Sequence, residues 1–160
     1  MKDTILNILE TVKDPEIPVL SVLDMGIVRD VRQEDLVVEI VITPTYTGCP
    51  AMDVIEADIK KALHDEGIEN VKINTVLSPP WTTDWISEDG LERLEKYGIA
   101  PPVRGTADKR TLFAEAPKPR CPYCKSPNPI MVSAFGSTAC KSQYKCDDCK
   151  EPFDYFKCLR

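Results

Sequence analysis

LVVEIVITPTYTGCPAMDVIEADIKKAL, residues 36–63, changes its period halfway along, and the order of the two halves decides the fold class. Leu36 to Thr43 is rich in Val and Ile, side chains that suit a pleated strand. From about Pro50 the apolar positions fall at Met52, Ile55, Ile59, Ala62 and Leu63, the spacing of three and four that lines one face of a helix. Pro50 suits a first helical position and Gly67 a C-terminal stop. The loop between them, Pro44-Thr45-Tyr46-Thr47-Gly48-Cys49, therefore delivers a thiol to the start of a helix.

Upstream, Ile27 to Val31 is a second β-rich run, and the polar turn Arg32-Gln33-Glu34-Asp35 joins it to Leu36 as a hairpin. Downstream, Val71, Ile73, Thr75 and Leu77 alternate with Lys72, Asn74 and Val76, the period of a strand with one wet face. Ahead of the hairpin, Thr4 is placed to cap a helix carrying Ile5, Leu6, Ile8, Leu9 and Val12, with Pro15 as its stop. Ser87 to Tyr97 supplies a last helix. The order predicts an α+β fold: a small three-stranded or four-stranded sheet with helices packed on one face.

The chain of 160 residues is 42% hydrophobic, enough for a packed core in one domain or two small ones. Its net charge of −6 supplies no field that would draw it to nucleic acid or an anionic membrane. No apolar run approaches the about 18 residues of a membrane span. Met1-Lys2-Asp3 leads into an amphipathic stretch rather than a signal peptide, so a soluble, cytoplasmic protein is expected. Charge is unevenly divided. Residues 1–116 hold 12 basic and 22 acidic side chains, whereas residues 117–160 hold 8 and 4. Near this reversal Pro101, Pro102, Gly105, Pro117 and Pro119 interrupt any helical or strand period. The expected organisation is an α+β domain over residues 1–98, a linker over 99–119 and a small domain over 120–160.

Six of the seven cysteines lie in the last 40 residues, and without a secretion signal such clustering argues for metal before disulfides. Cys121-Pro122-Tyr123-Cys124 and Cys146-Asp147-Asp148-Cys149 are two Cys-x-x-Cys knuckles with 21 residues between them, the spacing of a zinc ribbon. Two turns, each presenting a pair of thiolates, make a tetrahedral cage, and a region this small needs such a staple to fold. Cys140 and Cys158 remain as auxiliary thiols. Both suit small buried side chains or adventitious thiols first, and alternatively a pair that receives iron, bridges as a disulfide or joins another cluster. The aromatics beside them, Phe135, Phe153, Tyr155 and Phe156, suit a small core or a docking face.

Cys49, at a helix N-terminus, stands where unpaired amides and the helix dipole favour a thiolate, although a small buried residue would fit the same position. Asp14-Pro15-Glu16-Ile17-Pro18 offers two carboxylates in a stiff loop, and Asp24 with Gly26 suits a turn into the first strand. His64, the single histidine, falls beside the apolar stripe of its helix and reads as a surface residue. There is no Ser-His-Asp set, phosphate loop, dinucleotide fingerprint or pair of Glu-x-x-His motifs, so no catalytic constellation is found and an enzyme is not expected.

Asp14 to Pro18, Ser21 to Val28, Thr43 to Pro50 and Pro79-Pro80-Trp81-Thr82-Thr83-Asp84-Trp85, in this order, resemble the iron–sulfur cluster assembly domain family that includes SufT. With Leu91 to Pro102 and the six-cysteine tail, nearly the whole chain resembles the PaaD family of phenylacetate-degradation accessory proteins. The resemblance implies a factor for maturation of a metal centre, iron–sulfur or di-iron, in the phenylacetyl-CoA epoxidase complex. The alternative it leaves is a non-catalytic structural or adaptor subunit of that oxygenase. It maps a reactive cysteine onto Cys49 and an acidic loop onto Asp14 and Glu16, as candidates for transfer of iron or a cluster. It maps zinc ligands onto Cys121, Cys124, Cys146 and Cys149, where four thiolates would also suit a cluster. The implied cofactor is structural Zn2+, with transient iron or an iron–sulfur cluster as cargo. The implied partners are the reductase or di-iron oxygenase subunit, with neither nucleic acid nor membrane, and a homodimer formed through the sheets is compatible with it.

Overall fold

The computed structural model describes residues 1–102 and 118–157. The chain divides into two compact units, the first comprising Met1–Trp81 and Trp85–Gly90, the second starting at Leu91 and taking in Thr82–Asp84. In the first, helix α1 (Lys2–Thr11) buries Ile5 and Leu9, one turn apart, and packs against strand β1 (Val28–Glu34) and helix α2 (Ala51–Asp65). The helix begins and ends earlier than Thr4 and Pro15 suggest. The amide of Ile5 donates to the carbonyl of Met1 at 3.1 Å, closing the first turn ahead of Thr4. At the other end Val12 is extended and accepts from the Val22 amide at 2.9 Å, while the Asp14 amide donates to Leu20 at 2.9 Å. Once the backbone of residues 12–14 is committed to residues 20–22, it cannot continue a helix.

β1 runs antiparallel to β2 (Val37–Ile42), with Asp35 at φ 52 in the turn, and α2 carries the chain over to β3 (Val71–Thr75), which runs parallel to β2. The sheet order β1-β2-β3 puts the most apolar strand in the middle, with Val38, Ile40, Val41 and Ile42 all buried. α2 meets the sheet side through Ala51, Met52, Ile55, Ile59 and Leu63. Each such burial contributes about 1.5–3 kcal/mol for a large aliphatic side chain. Gly67 at φ 82 closes α2 by donating its amide to His64 at 2.9 Å. The exposed His64 ring lies 3.0 Å from the Glu69 carbonyl, a surface contact as expected.

A tie formed by Trp81 and by Trp85 to Ser87 completes this unit. Trp81, 2% exposed, donates its indole N–H to the carbonyl of Met25 at 2.7 Å. Asp24, also buried, accepts from the Ser21 amide at 3.1 Å and the Ser87 hydroxyl at 2.9 Å, and Ser21 Oγ accepts the Asp24 amide in return at 3.0 Å. Gly26 at φ +69 lets Trp85 lie directly against the backbone, and the Arg29 guanidinium stacks 3.7 Å from the Trp85 ring centre.

Helix α3 (Glu88–Tyr97) leads into the second unit, whose sheet has the order β4-β7-β6-β5, from β4 (Ile99–Ala100), β5 (Pro129–Ser133), β6 (Lys141–Cys146) and β7 (Pro152–Phe156). Ile99 and Ala100, which the proline pattern assigns to a linker, instead pair in parallel with Asp154 and Tyr155. The core is Ala100, Cys121, Tyr144, Cys146, Phe153 and Tyr155. Tyr144 stacks on Phe153 with ring centres 5.8 Å apart and meets Tyr155 edge-on at 5.8 Å. The aromatics of β7 are therefore core, whereas Phe135 is exposed. Among the described residues no helix is long and apolar enough to cross a membrane.

Candidate metal centre

The two knuckles are built alike. In the first, the Cys121 amide donates to the Ser126 carbonyl at 3.0 Å and the Lys125 amide to the Cys121 carbonyl at 2.9 Å. In the second, Cys146 donates to Glu151 at 3.0 Å and Lys150 to Cys146 at 3.0 Å. Lys125 at φ 63 and Lys150 at φ 64 make the same left-handed turn after the second cysteine. Each pair of thiols is thereby aimed inward by backbone alone.

The four sulfurs of Cys121, Cys124, Cys146 and Cys149 lie within 4.8 Å of one another. Cys121 Sγ is 3.7 Å from Cys149 Sγ, and Cys124 Sγ is 3.5 Å from Cys146 Sγ. A zinc tetrahedron with arms of about 2.3 Å has edges of about 3.8 Å, so the donor set fits the ion in chemistry and in size. Among the described residues this is the group of Cys, His, Asp and Glu side chains able to bind a metal ion.

The electrostatics point the same way. The Cys149 amide, with that of Asp148, holds Cys146 at about 6 despite its burial. The Glu151 backbone contact favours the Cys149 thiolate, yet burial and the thiols of Cys124, Cys146 and Cys121 push Cys149 up to about 12. Cys124 is raised as well, the Ser126 backbone contact being outweighed by burial and the Cys146 thiol. Four thiols packed together cannot all ionise unaided. A divalent cation at their centre removes that conflict, and binding it releases protons.

Sequence reasoning missed the clamp beside the knuckles. Ser126 Oγ and Asn128 Nδ2, the latter at 3.0 Å, both donate to Asp148 Oδ2, and the Asp147 amide donates to the Asn128 carbonyl at 3.0 Å. The Ser126 and Asn128 donors hold the Asp148 carboxyl below its ordinary range. The signal was present as Ser126-Pro127-Asn128 after one knuckle and an acid inside the other, a pairing visible only once the knuckles face each other.

Cys140 is buried, with its sulfur 3.1 Å from Thr138 Oγ1 and its carbonyl accepting the Lys157 amide at 2.8 Å, and it is not among the clustered thiols. Cys158 lies outside the described residues.

In the first unit, Cys49 immediately precedes Pro50, which already has helical dihedrals, and α2 begins at Ala51. Its amide donates to the Tyr46 carbonyl at 3.3 Å, and its thiol, 9% exposed, lies 3.9 Å from Thr45 Oγ1. Gly48 at φ +77 turns the chain there and faces open space. Thr43, at the end of β2 before this loop, has a buried hydroxyl with no hydrogen-bond partner among the described residues. Such an orphan costs on the order of 1–3 kcal/mol. Asp14 Oδ1 accepts the amides of Glu16 at 2.7 Å and Ile17 at 3.0 Å, so this carboxylate shapes its own loop as an Asx turn. Glu16 is half-buried. Cys49, Asp14 and Glu16 are not among the groups whose ligand atoms stand close enough to hold an ion together.

Comparison with known proteins covers both units. A family model described as the PaaD zinc beta ribbon domain matches residues 105–157, and one described as an iron–sulfur cluster assembly protein matches residues 2–75. The chain is 45% identical over 152 residues to the Escherichia coli K12 protein named as one subunit of a "Putative 1,2-phenylacetyl-CoA epoxidase", a match spanning 95% of this chain and 90% of that one. It is 38% identical over 89 residues to the Fe-S protein maturation auxiliary factor YitW of Bacillus subtilis, spanning 54% of this chain and 86% of the relative. Among solved structures, a domain of unknown function, DUF59, from Bacillus anthracis superposes with a TM-score of 0.54 at 30% identity, covering 57% of this chain and 89% of that one.

Proposed function

Because the chain belongs to the PaaD family of 1,2-phenylacetyl-CoA epoxidase proteins, which joins an iron–sulfur cluster assembly domain to a zinc ribbon, we propose that it is a non-enzymatic maturation factor. Its task is to supply an iron–sulfur or di-iron centre to a subunit of the epoxidase complex of phenylacetate catabolism. The observation that carries this reading is the division of cysteines between the units. Four thiols form a cage of tetrahedral size in the second unit, and one thiol stands at a helix start in the first. A closed four-thiolate cage holds its ion, and zinc in it is architectural. A single thiolate leaves most of the coordination sphere of iron to the cargo or the client, so the metal can move on.

In this reading Cys121, Cys124, Cys146 and Cys149 ligate zinc within the domain of residues 120–160, and Cys49 receives iron or a cluster within residues 1–98. Asp14 and Glu16 complete the coordination of iron only after the Asx turn opens, because the resting Asp14 carboxylate is engaged by two amides. Cys140 and Cys158 remain auxiliary thiols. The reductase or the di-iron oxygenase subunit is the client, in the cytoplasm.

The test is the iron and sulfide content of epoxidase subunits purified without oxygen from cells that carry or lack this protein. Clients that are normally metallated without it refute the proposal. The name of the Escherichia coli relative, which makes it a part of the epoxidase, favours a second reading, an adaptor that stays in the complex. Stoichiometric co-purification with the mature, fully metallated enzyme would select that reading.

A further inference from the structure

The metal centre uses one part of the ribbon and leaves its opposite hairpin unexplained. Strand β5 ends the sheet order, so among the described residues no strand lies on its outer side. A surface strand normally turns every second side chain to water. Here Ile130, Met131 and Val132 are 51%, 39% and 64% exposed, and Phe135 just beyond them is 63% exposed. The register shift between Met131 and Ser133 places Val132 in a bulge, so Val132 adds to the exposed apolar residues of this edge, while Ile130 and Met131 lie opposite Lys145 and Tyr144 respectively. Bulges also disrupt the ladder that an added strand would need. The side chains, rather than the backbone edge, are therefore what this strip presents.

The backbone that carries the aromatic at its end is tied down by hydrogen bonds. Ser133 Oγ donates to the Phe135 carbonyl at 2.7 Å and accepts its amide at 3.3 Å. The Gly136 amide donates to Lys141 at 2.7 Å, and Ser142 Oγ donates to the Ala134 carbonyl at 3.0 Å. Lys157 Nζ donates to that same carbonyl and sits 4.1 Å from the Phe135 ring centre. A hairpin whose backbone is already ordered loses little further backbone entropy on contact, as the site of an interface anchor requires. The charge around it is predominantly basic: Lys157 lies over the ring, exposed Lys145 is paired across from Ile130, one carboxylate, Asp154, lies beside Gly136, and residues 117–160 carry 8 basic side chains against 4 acidic ones.

We propose that Ile130, Met131, Val132 and Phe135, rimmed by Lys145 and Lys157, form the surface by which the ribbon docks an acidic client protein that buries an apolar side chain against Phe135. This rests on the maturation reading, in which the client is the epoxidase subunit that receives the metal. Binding is measured by calorimetry between the full zinc-loaded chain and purified reductase or oxygenase subunit lacking its metal, at low and high salt. The Val132→Ser, Phe135→Ser double variant weakens binding by about tenfold or more, as loss of an anchor does. Lys145→Glu, at an exposed position that leaves folding untouched, weakens it and flattens its salt dependence.

Wild-type affinity in both the double variant and Lys145→Glu overturns the docking surface and leaves the maturation reading standing. A wild type that binds neither subunit overturns both. Self-association of the wild type in sedimentation velocity that the double variant abolishes assigns the strip to a second copy and overturns the proposal. Normal docking followed by no metal delivery refutes maturation alone.

Discussion

Gly26→Ala probes the contact that fastens Trp85 within the first unit. Gly26 sits at φ +69, and an added Cβ would stand 2.6 Å from the carbonyl oxygen of Trp85 and 2.7 Å from its Cβ. The left-handed conformation costs an alanine about 1–2 kcal/mol. The clash falls on backbone, so the chain at Trp85 must move, an overpacking cost of about 1–3 kcal/mol. Restricting the unfolded chain returns about 0.5–1 kcal/mol. The net loss is about 1–4.5 kcal/mol. Gly67→Ala is the control, because at φ +82 its Cβ meets nothing within 4 Å and pure conformational strain remains. That variant loses about 1 kcal/mol or less. The chain has two tryptophans, Trp81 and Trp85, both in the first unit, so urea unfolding followed by tryptophan emission reports on this contact. Thermal midpoints should separate by roughly 4–8 °C for each kcal/mol of difference. Equal losses in the two variants, within about 0.5 kcal/mol, would show that the Trp85 approach is not a constraint.

The ribbon should bind one zinc per chain, and Cys124→Ser or a chelator should release it and expose residues 120–160 to protease; a fully metallated, resistant variant would refute the four-thiolate assignment. Cys49→Ser preserves size and should leave the thermal midpoint and zinc content unchanged while client metal content and growth on phenylacetate are lost; normal growth would make Cys49 a packing residue. Trp81→Phe removes the indole donor to the buried Met25 carbonyl, and the unsatisfied acceptor should cost about 1–3 kcal/mol, read from the urea midpoint by circular dichroism. An unchanged midpoint would mean that the bond contributes nothing net.

Sequence period carried the long elements because burial follows it: α2 buries Met52, Ile55, Ile59 and Leu63 from its apolar stripe, and β2 is the buried central strand. The metal centre was legible for a different reason, since a Cys-x-x-Cys spacing already dictates a local knuckle. Most of what the sequence left hidden depends on residues far apart in the chain, although the helix start does not. Thr4 looked like a cap only because nothing local reveals that Met1 closes the first turn. Asp24 does sit in the turn into β1 that the sequence suggests, but nothing local reveals that its carboxylate also joins Ser21 to Ser87. The role of Asp14 as a ligand candidate came from the family resemblance, and the Asx turn its carboxylate makes with Glu16 and Ile17 is a second use of the same side chain. Phe135 and the β7 aromatics look equivalent in composition, and only their place in the sheet separates them, since Phe153, Tyr155 and Phe156 lie in β7 against β6 whereas Phe135 lies beyond the end of β5.

The two-residue strand β4 limits how the gene can be rearranged. Ile99 and Ala100 lie ahead of the cysteine-rich segment in sequence yet pair with β7 at its far end. A recombination that exchanged only residues 120–160 would leave this strand behind and strip the new sheet of its outer rung, baring the amides and carbonyls of β7. A functional chimera must carry the crossover back to the start of the second unit, near Leu91. The effective module is longer than its metal ligands suggest, and grafts cut at the helix should express as soluble protein where grafts cut at the first knuckle aggregate through the bared strand.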